Sequence, residues 1–183
     1  MFNRGRAREL GGPQVYTCAR WPWVLDHKYT LVELTMTIIH HEVHANCLPE
    51  RVWALLSDLE AVQSYNPTVR TATIQGARRS GVGAERACEL VPRGRVVERV
   101  NHWEDGRAVG LEVAESDWPI HFMRWVTRVE PAGTRTRITQ SLEYQVKFGL
   151  VGWLLDTLVM KRKLTSTLDG VFASLVKLAE GVE

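Results

Sequence analysis

The sequence predicts an α+β fold in which an antiparallel sheet packs one face against a single long C-terminal helix. Two features predict it. The end of the chain, from residue 148 to residue 179, carries a helical pattern of unusual length, and residues 36–147 divide into short strand-like runs. Gly, Pro and Asp separate those runs at the close spacing of sequential hairpins rather than of parallel crossovers. A sheet of hairpins that buries one face against a helix is a stable two-layer architecture.

The predicted helix covers residues 149–179 and has two different halves. In the second half, apolar residues recur every three or four positions and polar residues fill the positions between them, as an amphipathic helix requires. The first half is apolar nearly all round, so other parts of the chain must cover it on several sides. It contains Asp156 and ends at Lys161-Arg162-Lys163, well short of the roughly 20 apolar residues of a membrane span. The apolar face of the second half comprises Met160, Leu164, Leu168, Val171, Phe172, Leu175 and Leu178.

Seven strands and two short helices fill the chain between residue 36 and the long helix. Pro49 suits the first turn of the first short helix. The second short helix ends before Asn66-Pro67, because the residue before a proline is pushed out of the helical region. Turn residues separate the strands at Gly81, Pro92-Arg93-Gly94, Asp105-Gly106 and Pro131-Ala132-Gly133. The predicted strands are residues 37–46, 69–75, 84–91, 95–103, 108–114, 120–130 and 134–146.

The first strand carries three histidines and a glutamate, which are residue types that bind zinc. Alternate side chains of a strand point to opposite faces, so His41 lies opposite His40, Glu42 and His44, and the spacing is not that of an H-E-x-x-H motif. The pattern therefore predicts a strand with one solvated face and no metal site.

Gly81-Val82-Gly83 is followed by a strand rather than by a helix N-terminus that could hold a phosphate, and no cofactor is predicted.

The first 35 residues show no sustained periodicity, and we expect a disordered N-terminal extension, with Met36 as the natural start of the folded protein. The extension holds five basic and three acidic residues, out of 23 Lys and Arg and 21 Asp and Glu in the whole chain. That leaves 18 of each sign in residues 36–183, a neutral domain without the basic field that nucleic-acid binding needs. Three cysteines without a C-x-x-C pair indicate free thiols in a reducing, cytoplasmic compartment.

Several segments in a fixed order resemble the START-like superfamily, also called SRPBCC, and within it the bacterial polyketide cyclase/dehydrase and lipid-transport type. They are LPERVWALLSD at 48–58, YNP at 65–67, GVGAER at 81–86, ERV at 98–100, TRI at 136–138, and Tyr144. The resemblance covers the chain from Met36 to its end. It implies a helix-grip fold, with a curved seven-stranded sheet around the C-terminal helix, and a START-like ligand-binding domain over residues 36–183. One position departs from the pattern, because Leu48 stands where a small residue usually precedes the first short helix.

The resemblance also implies a deep apolar cavity between the sheet and the helix that takes a hydrophobic or amphipathic small molecule, such as a polyketide, lipid or quinone. The aromatic residues and methionine in and just before the sixth strand either line this cavity or simply fill the core. The residues implied to face the ligand are Asn66, Arg86, Cys88, Glu98, Val100, Leu111, Val113, Trp118, Met123, Trp125, Leu142, Tyr144, Leu164 and Leu168.

Three functions are compatible with such a cavity. The first is a binding protein for a hydrophobic small molecule. The second is an enzyme of the cyclase or dehydrase type, in which Glu98 or Tyr144 acts as acid or base and Arg86 stabilises an enolate-like anion. The third is a carrier or chaperone that delivers a lipid or quinone and performs no chemistry. No sequence motif separates the three, because an apolar pocket with a few polar groups serves all of them.

The side chains of Arg86 and Glu98 share a face only if the turn between their strands has an odd number of residues, for instance Val91-Pro92-Arg93. A two-residue turn at Arg93-Gly94 would instead pair Arg86 with Asn101. We expect the odd turn, because the resemblance implies that both side chains point inward, and because a lone buried charge costs several kcal/mol whereas a paired one is tolerated. The alternative to a functional role is an internal salt bridge that satisfies two buried charges.

Overall fold

The computed structural model describes residues 36–147 and 160–182. The predicted extension (1–35) and the first half of the predicted long helix (148–159) lie outside the described residues. The elements within them are β1 (Met36–Ala45), α1 (Pro49–Ser57), a 3-10 turn (Leu59–Ala61), α2 (Val62–Tyr65), β2 (Val69–Gln75), β3 (Glu85–Leu90), β4 (Arg95–Glu104), β5 (Ala108–Ser116), β6 (Ile120–Ala132), β7 (Arg135–Val146) and α3 (Lys161–Glu180).

The seven strands form one antiparallel sheet in the order β1-β7-β6-β5-β4-β3-β2. The α+β helix-grip prediction is therefore confirmed, and the predicted ends of each strand are shifted by no more than two residues. One turn differs, because Pro131 and Ala132 still pair with β7 and leave only Gly133 and Thr134 between the strands. Gly133 has a φ of +64°, a left-handed conformation that glycine adopts without strain.

Short helical segments protect the β2 edge of the sheet. The side chain of Gln63 accepts a hydrogen bond from the backbone N–H of Ala72, and Glu60 accepts one from the N–H of Ile74. These two bonds occupy N–H groups of the edge strand that would otherwise be open to pairing with another chain. Near the opposite edge, Asn46 donates from its backbone and its side chain to Glu180 Oε1, which ties the end of α3 to the chain that follows β1.

The helix α3 lies across the concave face of the sheet and buries Phe172, Leu175 and Ala179. The predicted apolar face is right except at its end, because Leu178 is 41% exposed and Ala179 occupies the buried position instead. Ala179 follows Leu175 by four residues, which continues the buried stripe, whereas Leu178 lies at its rim. Among the described helices none is long and apolar enough to cross a membrane.

Two β-bulges bend the sheet where β4 and β5 pair. The pairing shifts between Val100 and His102, so Asn101 is the extra residue on β4, and a second shift leaves Ala114 as the extra residue on β5. A side chain on Gly110, opposite the first bulge, would come within 2.7 Å of Asn101 and His102, so only glycine fits there. Bulges bend a strand and increase its twist, which curves the sheet around the helix.

Charged residues occupy the outer face of the sheet, as the alternation of β1 predicts for His40, Glu42 and His44, which are all exposed. The apolar residues lie on the inner face in two packed clusters. One cluster joins residues of all seven strands, the short helices and the end of α3, and the other joins Ile39, Ile120, Met123, Leu142 and Tyr144. The outer face instead carries ion pairs across strands, namely Arg99 with Glu85 and Glu112, Arg124 with Glu143, Arg128 with Glu104, and Arg137 with Glu130.

Candidate functional site: a cavity between the sheet and the C-terminal helix

A cavity of about 160 Å³ lies between the concave face of the sheet and α3, where the two apolar clusters meet. Trp118, Trp125 and Leu168 pack against both clusters and form part of its wall. Its remaining apolar lining comes from α1, α2, the inner sheet positions and α3, namely Leu56, Val62, Val69, Leu90, Val96, Val109, Leu111, Val113, Met123, Leu142, Leu164, Val171, Phe172 and Leu175.

Most of the residues that the resemblance implies for the ligand site do line this cavity. Three of them do not, because Cys88, Val100 and Tyr144 are completely buried in the packed clusters. They lie on the predicted inner face, but neighbouring side chains separate them from the open space. Phe122 is also outside the cavity, since it lies on the outer face under the guanidinium of Arg124. The predicted residues that line the cavity are Asn66, Arg86, Glu98, Leu111, Val113, Trp118, Met123, Trp125, Leu142, Leu164 and Leu168.

Arg86 and Glu98 form a buried ion pair at one end of the cavity. They are direct partners in the β3–β4 ladder, and Leu90 bonds to Gly94 across the three-residue turn, so the predicted odd turn is confirmed. Arg86 Nε donates to Glu98 Oε2 at 2.6 Å, and Arg86 Nη1 donates to the Leu59 carbonyl at 2.9 Å. The two side chains are only 5% and 11% exposed. The 3-10 turn and the hairpin together hold the guanidinium in place.

The protonation states at this end of the cavity follow from burial and from the ion pair. Burial acts to lower the pKa of Arg86, but the negative charge of Glu98 overrides it, so the pKa of Arg86 lies above its usual value. Burial raises the pKa of Tyr65, only partly opposed by Arg86, and raises the pKa of Cys88 to about 12. At neutral pH the cavity end therefore presents a guanidinium and a phenol, and the neutral thiol of Cys88 is buried behind them. A thiol with this pKa is a poor nucleophile.

Tyr65 is a cavity residue that the sequence reasoning did not select. The segment Tyr65-Asn66-Pro67 predicted only the end of a helix, yet Tyr65 is the last residue of α2 and its phenol lies beside Arg86. Asn66 is placed at the cavity wall as predicted, and its Oδ1 accepts hydrogen bonds from the backbone N–H and the hydroxyl of Thr68. The chain turn after α2 thus adds polar groups to the Arg86 end.

A second polar group in the wall, Thr127 with Gln140, was also missed. The two residues are direct partners in the β6–β7 ladder, and the Thr127 hydroxyl donates to Gln140 Oε1 at 2.9 Å. The alternation of β7 could have revealed Gln140, since it shares a face with Leu142. Its amide, however, interrupts the apolar pattern by which inner positions are recognised. Thr68 and, on α3, Thr167 complete the polar part of the lining.

His41 links the first strand to α3 rather than lining the cavity. Its Nε2 donates to Asp169 Oδ1 at 2.9 Å, and its ring stacks on Phe172 with the ring centres 4.7 Å apart. It lies on the inner face, opposite His40 and His44, as predicted. In the described ranges of the chain, no group of three or more His, Cys, Asp or Glu residues could hold a metal ion.

The fold and the cavity define a helix-grip protein of the START-like, or SRPBCC, class. Residues 36–180 match the family described as polyketide cyclase/dehydrase and lipid transport, and the chain belongs to this family. Its fold is similar to that of TTHA0849 from Thermus thermophilus, with 21% identity, 78% of this chain and 97% of that chain covered, and a TM-score of 0.66. It is also similar to the Bet v 1-like protein Ara h 8.0201, with 11% identity, 79% and 97% coverage, and a TM-score of 0.61. No curated protein sequence matches the chain.

Proposed function

We propose that this protein binds a neutral hydrophobic or amphipathic small molecule in the cavity between the sheet and α3. The observation that supports it is an apolar cavity with one charge-compensated ion pair, Arg86 with Glu98, in its wall. Binding sites for small molecules are concave, mostly apolar and furnished with a few placed polar groups. The family, described as polyketide cyclase/dehydrase and lipid transport, supports the same class of ligand.

The charge balance of the cavity favours a ligand without net charge. Arg86 and Glu98 neutralise each other, and the other polar lining residues are uncharged. A charged headgroup inside the cavity would lose its hydration without gaining a free counter-charge. A phenol, ketone or ester would instead find hydrogen-bond partners at Tyr65 and Arg86.

The size of the cavity limits what it holds without rearrangement. A volume of about 160 Å³ is close to that of an apolar cavity that takes up a single benzene ring, about 150 Å³, and below the roughly 300–1,000 Å³ of pockets for drug-sized ligands. A larger ligand requires the cavity to widen. The half-buried residues Leu164, Leu168 and Val171 on α3 are the side chains that would move first, since they are packed on fewer sides than Phe172.

Binding of a neutral apolar dye, N-phenylnaphthylamine, to the native protein tests the proposal. We expect one-site binding, a changed affinity in Trp125→Ala and Met123→Trp, and no change in the control Phe122→Ala, whose ring lies on the outer face. Native mass spectrometry of protein purified from its own host would then identify a retained ligand. Dye binding only under partly denaturing conditions would show that the interior is filled, and the proposal would fail.

A second function, catalysis of the cyclase or dehydrase type, is supported by the grouping of Tyr65, Arg86 and Glu98. The phenol of Tyr65 remains protonated at neutral pH and could donate a proton, while Arg86 could stabilise an enolate oxygen. Tyr144, the acid or base suggested by the sequence, is buried away from the cavity, so Tyr65 replaces it in this proposal. Incubation with a poly-ketone substrate distinguishes the two functions, because a binding protein returns the compound unchanged and an enzyme releases water from it.

A further inference from the structure

We propose that Gln140, positioned by Thr127, is a second polar contact for the ligand, and that the ligand carries a hydrogen-bond-accepting oxygen at each end of an apolar body. This inference rests on the proposed binding function and adds the chemical class of the ligand. It concerns the β6–β7 side of the cavity wall, away from the Arg86–Glu98 pair on β3 and β4.

The hydrogen bond from Thr127 fixes which part of the Gln140 amide remains available. The Thr127 side chain is buried, 3% exposed, and its hydroxyl donates to Gln140 Oε1 at 2.9 Å. The carbonyl oxygen of the amide is therefore turned towards Thr127, and the NH₂ group lies on the other side of the amide. In the part of the chain that the structure describes, the Gln140 nitrogen has no hydrogen-bond partner among the protein atoms. An amide nitrogen carries two N–H donors, so Gln140 can donate to a ligand.

The loss of water makes this donor selective. Gln140 lies in the cavity wall, where a bound ligand displaces the water that would otherwise satisfy the amide. A donor left without a partner in an apolar site carries a penalty, so a site built to hydrogen-bond an oxygen discriminates against analogues that lack it. A plain hydrocarbon leaves Gln140 unpaired, whereas a carbonyl oxygen pairs with it.

The two polar contacts lie on opposite sides of an apolar strand. Arg86 and Tyr65 supply donors at one end, and Gln140 supplies a donor at the other, with Val109, Leu111 and Val113 of β5 between them. A ligand that satisfies both ends is neutral, apolar in its middle and terminated by acceptor oxygens. Diketones and quinone-like molecules have this chemistry, and simple fatty chains do not.

Three bicyclic probes of nearly equal size test the inference: decalin, a decalone with one carbonyl, and a decalin dione with a carbonyl on each ring. Their affinities are measured by displacement of N-phenylnaphthylamine. We expect the dione to bind most tightly and decalin most weakly. Gln140→Leu should lower the dione-to-decalin affinity ratio roughly tenfold, because the dione loses one hydrogen bond and decalin no longer leaves an amide unpaired.

A second variant keeps the test valid if Gln140→Leu does not fold. Thr127→Val releases the amide from its fixed orientation, so the dione-to-decalin affinity ratio should fall by a smaller factor, roughly threefold. A purely structural role of Thr127 would change all three affinities together. The control is Gln75→Leu, an exposed glutamine outside the cavity, which should leave every affinity unchanged.

Two results would overturn the inference while the binding function stands. The first is a wild-type protein that binds decalin as tightly as the dione, and the second is a dione-to-decalin ratio that survives Gln140→Leu and Thr127→Val. Failure of the dye and of all three probes to bind would refute the binding function itself, and with it this inference.

Discussion

The buried pair of Arg86 and Glu98 allows a quantitative test, because an equivalent pair lies exposed on the same two strands. Arg86→Met leaves the Glu98 carboxylate and the Leu59 carbonyl without their donor, and Glu98→Leu leaves a buried guanidinium. Breaking a buried ion pair from one side costs roughly 3–5 kcal/mol, whereas replacing both partners by apolar residues of similar volume is often nearly neutral. We therefore expect each single variant to lose roughly 3 kcal/mol or more of unfolding free energy. The double variant should lose much less than the sum of the two, with the unpaired Leu59 carbonyl as its main remaining cost.

The assay is urea unfolding at neutral pH for the wild type, both single variants and the double variant, which together give the coupling energy. The matched control is the pair Arg99 and Glu85, which are also direct partners in the β3–β4 ladder. Their Nε–Oε1 distance is also 2.6 Å, but their side chains are 47% and 31% exposed. Solvent screens that pair, so its coupling should be several times smaller. A coupling energy of Arg86 with Glu98 no larger than that of the exposed pair would refute the argument that burial gives the pair its strength.

Three further outcomes are expected. Leu48 is the N-cap residue of α1, offers no side-chain hydrogen bond to the helix and is 68% exposed. Leu48→Ser should therefore raise the free energy of unfolding by about 1 kcal/mol, and an unchanged urea midpoint would contradict this. Because the pKa of Cys88 is raised in the folded protein, its thiolate forms first in the unfolded chain, and stability should fall as the pH rises from about 9 towards 12. In Cys88→Ala this fall should be less steep. Equal dependence of the melting temperature on pH in the two proteins, measured by differential scanning calorimetry, would count against this prediction. A protein that starts at Met36 should melt like the full chain, because residues 1–35 have no periodic apolar face to dock; a lower melting temperature would show that the extension is structural.

The sheet and its faces could be predicted from sequence because period-two alternation and turn residues repeat in every strand. The odd turn between Arg86 and Glu98 could be predicted as well, since the resemblance implied that both side chains point inward and a single buried charge would be costly. How deeply each inward-facing side chain is buried could not be predicted from sequence. Cys88, Val100 and Tyr144 lie on the correct face, but whether an inner residue touches open space depends on its neighbours from other strands and from α3.

Other parts of the site depended on tertiary contacts that a linear pattern does not contain. Gln140 interrupts the apolar positions of β7 and is understood only with Thr127 opposite it on β6. Tyr65 enters the cavity because the short helix ends there and directs its ring towards Arg86. Trp103 was not identified as an inner residue, because the bulge at Asn101 changes which positions of β4 point inward.

That bulge has a consequence for how the sequence can change in length. Before Asn101 the even-numbered residues of β4 point inward, and after it the odd-numbered ones do, which lets Trp103 pack edge-on against Trp53 of α1 with the ring centres 5.1 Å apart. Deleting one residue elsewhere in β4 would exchange its two faces beyond the deletion and expose Trp103. Deleting Asn101 would instead remove the bulge, place His102 directly after Val100 in a regular ladder and leave Trp103 on the inner face. The second bulge, at Ala114 of β5, compensates the shift, so the register at both ends of the β4–β5 hairpin is the same. Away from the two bulge residues, insertions and deletions in this hairpin are therefore tolerated in matched pairs, one on each strand, while single ones reverse the sheet locally.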